Sequence, residues 1–127
     1  MTGQMVVLLG GLFFAHYLGD FTPLVTRRML EAKSNGSPML PIFFHAGVHA
    51  VLITCVILVA AFPAWKILLL AAAIEFFTHF AIDAGRAALG QRFPDVNNPG
   101  RSAFWHLLGV DQFAHAAVLI FLAALVL

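Results

Sequence analysis

Four stretches of the chain are almost continuously apolar, over residues 5–21, 41–62, 64–86 and 104–127. Each is close to the roughly 20 residues needed to cross a bilayer. None alternates over ten residues as a membrane strand does. In lipid the backbone must satisfy its own hydrogen bonds, so each stretch is predicted as a helix. The connections differ. Little more than "FPAW" separates the second and third stretches, which predicts a tight helical hairpin with Trp65 and Lys66 at the interface. "TPLVTRRMLEAKSNGSP" joins the first two and closes on the turn sequence "KSNGSP". "GRAALGQRFPDVNNPGRSAFW" joins the last two, with "DVNNPG" as loop.

Composition supports a membrane setting. Of 127 residues, 61% are hydrophobic and only 10% charged, and the mean hydropathy is +0.93. A soluble domain this small needs more charge to cover its surface. The fold expected is all-α, an integral membrane four-helix bundle forming a single domain over residues 1–127. A net charge of +1 argues against nucleic acid as a partner, and a lone cysteine, Cys55, excludes an intramolecular disulfide. The first apolar run lacks a basic leader and a cleavage site, so it is expected to be retained. Arg27, Arg28, Lys33, Arg86, Arg92 and Arg101 all fall in or beside the two longer loops, with Lys66 alone on the opposite side. The positive-inside rule then puts both longer loops in the cytoplasm and both termini outside.

Polar residues inside these apolar stretches follow one spacing. His16 and Asp20, His45 and His49, and Asp111 and His115 are each four residues apart, and Glu75, His79 and Asp83 take two such steps. Residues at i and i+4 share a helix face. The pairs sit near the ends of the first and third helices and near the starts of the second and fourth. Alternating direction therefore brings all four to one depth, in the cytoplasmic half. An unpaired Asp at the membrane centre costs roughly +2.5 to +3.5 kcal/mol. Arg86 is within reach of Asp83 but not of every carboxylate, whereas a divalent cation satisfies imidazole and carboxylate together.

His16, Asp20, His45, His49, His79, Asp83, Asp111 and His115 are thus eight candidate ligands for one or two divalent transition-metal ions. Zinc and iron fit this donor set best, with manganese third, and the missing thiolates disfavour copper(I) and iron–sulfur clusters. Carboxylate sites in helical bundles are assembled in this way from facing helices. Glu75, one turn deeper than His79, is a candidate ligand, orienting partner or general base. Gln112 and Arg86 are candidate hydrogen-bonding neighbours of the ligands. Gly10, Gly11, Gly19 and Gly47 are expected where helices approach closely.

The motifs "AHYLGDF", "FHAGVHA", "THFAIDAGR" and "VDQFAHA", in this order over nearly the whole chain, resemble those of DUF3307, a family of small bacterial membrane proteins. His16, Asp20 and Phe21 match its first motif, Arg86 takes the basic position of the third, and Asp111, Gln112 and His115 match the last. "TPLV" stands where that family has Leu-Gln. The resemblance implies a multi-pass protein of the bacterial inner membrane and names no activity.

The first functional expectation is a metal-dependent hydrolase, or a di-iron-type oxidase, acting on a lipid-like or membrane-associated substrate among membrane lipids, as a monomer or an oligomer. Here the histidines bind metal, Asp20, Asp83 and Asp111 bind or bridge, and Glu75 is the base. The His-Glu-x-x-His motif is absent, which disfavours peptide hydrolysis. The alternatives are a metal-ion or proton transporter or sensor, and, behind these, a haem-binding electron carrier.

Overall fold

The computed structural model describes residues 3–36 and 39–127 and is all-helical, with no strand among the described residues. Four long helices are α1 (Gly3–Phe21), α3 (Leu40–Ala61), α4 (Trp65–Arg92) and α5 (Ser102–Val126); a short α2 (Arg27–Asn35) and a 3-10 turn (Pro94–Asn97) lie in the two longer connections. The four long helices are each long and apolar enough to cross a membrane, with mean hydropathies of 1.3 to 2.3 over their spans. They close a ring in which α1 packs on α3, α3 on α4, α4 on α5 and α5 on α1.

Local chemistry sets the helix ends. Pro41 stands in the first turn of α3, where its missing N–H costs nothing. Phe62 leaves α3 in a left-handed conformation, φ 46°, and Pro63 blocks continuation. The helix expected to stop at Arg86 continues to Arg92, because no breaker intervenes until Pro94, which disfavours helix at Phe93 before it. At 28 residues α4 spans about 42 Å, more than the hydrocarbon thickness of about 30 Å, so its last turns extend beyond the core.

The connection read as a loop contains α2. Its signals are local: Thr26 Oγ1 accepts from Met29 N–H at 3.3 Å, Arg27 pairs with Glu31 at 2.8 Å, and Gly36 ends the helix at φ 67° with its N–H on Ala32 O. Ala32 packs with Ile42 and Ala87, and Asn97 Nδ2 donates to Ser34 O and Gly90 O. The helix is thereby clamped across the end of the bundle. The "KSNGSP" turn falls on the end of α2, and its residues 37 and 38 lie outside the described residues.

The interior is banded along the bundle axis. Leu8, Leu12, Ile53, Ile57, Ala71, Leu119 and Leu122 fill the band toward the α3–α4 turn. On the same stripes, toward α2, stand His16, His45, His49, Glu75, His79, Asp83, Asp111 and His115, all buried. The outer surface carries Val7, Phe14, Phe77, Phe113 and Phe121, all exposed. A polar interior band inside an apolar exterior suits a lipid surround.

Candidate metal centre

The i, i+4 spacing puts each pair on the inward stripe of its helix, and the ring of helices brings the stripes together. The imidazoles pack on one another: His49 and His79 at 3.8 Å between ring centroids, His79 and His115 at 4.3 Å, His45 and His49 at 4.7 Å, and His16 and His115 at 4.9 Å. Two groups of donor atoms lie within 4.8 Å of one another, Asp20 with His45, His49 and His79, and His79 with Asp83 and His115. Either group could hold a metal ion, and His79 belongs to both.

Two imidazoles are oriented by bonds on their outer nitrogens. His79 Nδ1 is 3.2 Å from Glu75 Oε1, and His115 Nδ1 donates to Asp111 O at 2.9 Å. With Nδ1 as donor, each Nε2 presents a lone pair, the arrangement that carboxylates and carbonyls impose on metal-binding histidines. Both Nε2 atoms lack a hydrogen-bond partner among the described residues, as do both ring nitrogens of His16 and of His49 and Asp83 Oδ2.

Such orphaned buried groups cost free energy unless something else satisfies them. Their separations point to what that is. His49 Nε2 is 3.4 Å from Asp20 Oδ1, His79 Nε2 is 3.5 Å from Asp83 Oδ2, and His45 Nε2 is 3.5 Å from the same oxygen. Two ligands on a tetrahedral ion with bonds of about 2.1 Å stand roughly 3.4 Å apart. His16 Nε2 lies 3.4 Å from Asp20 Oδ2, outside both donor groups. Asp111 is also outside them: Arg86 Nη1 donates to its Oδ2 at 3.2 Å and Gln112 Nε2 at 3.1 Å. Arg86 therefore meets Asp111 and not Asp83.

Lys33 is the residue of the buried cluster that the linear pattern did not single out. It projects from α2 into the polar band and is buried. Its Nζ donates to Asp20 Oδ1 at 3.2 Å and stands 3.0 Å from Asp83 Oδ1 and 3.4 Å from His45 Nε2. Burial, the largest single effect, lowers its pKa, but the summed pull of Asp83 and Asp20 outweighs it and holds the ammonium above the ordinary lysine value. The sequence carried one signal for it: a Thr26 cap and Gly36 stop enclosing one short helix with Ala32 and Lys33 adjacent on it.

The glycines divide. A Cβ on Gly19 would run into the His49 ring, and one on Gly11 would meet Val56 at 2.8 Å. Gly10 has nothing within 4 Å and Gly47 only an ordinary contact with Phe76 at 3.9 Å, so these two are not close-approach points.

Residues 8–127 match the family described as Protein of unknown function (DUF3307). The chain belongs to that family. The DUF3307 match runs from within α1 through α5, and so covers every residue of the buried cluster. No curated protein and no solved structure matches the chain. What the DUF3307 cluster does is therefore argued from its chemistry.

Proposed function

We propose that this DUF3307 protein is a membrane-embedded metalloprotein of the bacterial inner membrane. In this reading its His/Asp centre lies in the cytoplasmic half and acts as a hydrolase on a lipid-like or membrane-associated substrate. One observation carries the reading: buried nitrogen and oxygen donors from four helices stand at ligand–ligand separations, and His49 Nε2, His79 Nε2 and His115 Nε2 among them have no hydrogen-bond partner among the described residues. Charge supports one ion per chain. Glu75, Asp20, Asp83 and Asp111 face two fixed cations, Lys33 and Arg86, leaving −2 with neutral imidazoles. One divalent ion balances that charge, while two overshoot it, which favours a mononuclear zinc or iron site over a di-iron centre.

The ion would supply Lewis acidity toward water and a substrate oxygen. The side chains do the rest. Glu75 orients His79 through Nδ1, so that Nε2 would face the ion, and is the candidate general base. Arg86 and Gln112 hold Asp111, whose backbone carbonyl in turn fixes His115. Lys33 offsets the charge of Asp20 and Asp83.

The transport alternative meets the apolar band of Leu8, Leu12, Ile53, Ile57, Leu119 and Leu122, which closes the other half of the bundle. The haem alternative meets imidazoles packed too closely on one another to admit a macrocycle.

Elemental analysis of protein purified without chelator tests the proposal, with about one transition-metal ion per chain expected. His79→Ala and Asp83→Ala should each remove most of it while membrane insertion persists. Wild-type protein carrying no metal would overturn the reading.

A further inference from the structure

A cavity of about 390 Å³ opens beside the polar cluster, lined by residues of α1, α2, α4 and α5. That volume falls in the range of small-molecule sites. Its inner wall holds Asp20 and Lys33 of the cluster together with Arg86 and Gln112, and its outer wall is apolar, with Phe21, Leu30, Phe104 and Leu108. Phe21 and Leu30 are themselves exposed, which makes an apolar rim.

We infer that this cavity binds an oxyanion, of phosphate type, carried on an apolar chain, with the headgroup against Arg86 and the chain along Phe21, Leu30, Phe104 and Leu108. The inference rests on the proposed function in that it places the substrate beside the same centre. Its own support is charge and shape. Arg86 spends one terminal nitrogen on Asp111, and its other N–H groups have no partner among the described residues. A guanidinium presents five donors in a planar fork suited to phosphate oxygens. The Lys33 ammonium on the adjoining wall is held by Asp20 and Asp83 and offsets the Asp20 carboxylate that also lines the cavity. Arg86 sits at the polar end of the cavity and the apolar rim at its mouth, and an anionic amphiphile is the molecule that satisfies both ends. A neutral lipid leaves the Arg86 donors unmet, and a free anion leaves the apolar wall uncovered.

Titration calorimetry on purified protein in non-ionic detergent tests this with octyl phosphate, inorganic phosphate, octanol and octyltrimethylammonium as probes. Octyl phosphate is expected to bind at least about tenfold more tightly than the other three. Arg86→Gln should weaken it about tenfold. Because Arg86 also supports Asp111, a second pair of variants is set at the exposed rim: Leu30→Glu should weaken octyl phosphate about fivefold and Leu30→Lys should not. Octanol binding as tightly as octyl phosphate would overturn the anionic half of the inference. Inorganic phosphate binding as tightly would overturn the apolar half and assign the site to the free ion. Equal effects of Leu30→Glu and Leu30→Lys would overturn the headgroup assignment. Metal content is measured on the same samples. Metal-replete protein that does not bind octyl phosphate overturns this inference alone. Metal-free protein that binds it in an Arg86-dependent way keeps this inference and overturns the metal reading.

Discussion

A lysine ammonium held between two buried carboxylates acts as a tethered cation. Lys33 Nζ is 3.2 Å from Asp20 and 3.0 Å from Asp83, in the region where a bound metal ion would also be drawn. An ammonium and a divalent ion there would repel each other, so the ammonium is expected to stabilise the metal-free state. Lys33→Met is therefore expected to destabilise the metal-free protein by about 3 kcal/mol, because Asp20 and Asp83 lose their buried partner. The same change should tighten metal binding about tenfold, since both the repulsion and the competing partner are gone. Competition against a chromophoric chelator checks this, and weaker binding would show that Lys33 supports the ion. The buried His/Asp stripes were legible at this scale because i, i+4 spacing in an apolar helix leaves few other readings. Lys33 was not, because nothing about a single lysine in a basic loop says which way it points.

At the scale of elements, the distance between α1 and α3 is set where Gly19 faces His49. A side chain there would occupy the space of the imidazole. Gly19→Ala is expected to displace the ring, cost about 1 to 3 kcal/mol and lower metal content by at least about half. Gly10→Ala, on the opposite face of α1 with open space around it, should change neither. Metal analysis and thermal unfolding of the two variants side by side check the contrast, and equal effects would mean that general helix packing, not the His49 contact, was measured. The α2 helix shows a different limit. Its nine residues read as polar and basic, and its caps are visible only when Thr26 and Gly36 are taken together as start and stop. Its place depends on Ala32 meeting Ile42 and Ala87, residues distant in sequence.

For the whole molecule, charge distribution is the ground for the proposed orientation. Arg27, Arg28, Lys33, Arg86, Arg92 and Arg101 gather at the end that carries α2 and the 3-10 turn, with Lys66 at the other. The expected arrangement has the polar band and the cavity toward the cytoplasm. In a Cys55→Ala background, Asn98→Cys should react with a membrane-impermeant thiol reagent only after permeabilisation, while Ala64→Cys should react in intact cells. The reverse pattern would invert the protein and place the centre on the outer face. Orientation also bears on the substrate, because the apolar band closes the bundle beyond the cluster and leaves access from one side.

Periodicity and composition by themselves determined the all-helical class, the four long apolar helices and the stripe on each that carries His, Asp or Glu. The physical reason is that a lipid surround permits few backbone solutions, and a charged group within it must face inward. Which donors meet was decided only by the tertiary structure. Arg86 reaches Asp111 across to α5, Asp83 receives Lys33 from α2, and His79 alone joins the two donor groups. Those pairings depend on how far each helix is rotated and how closely its neighbour approaches. Both are set by contacts such as Gly19 against His49 and Ala32 against Ala87, between residues that local spacing cannot relate.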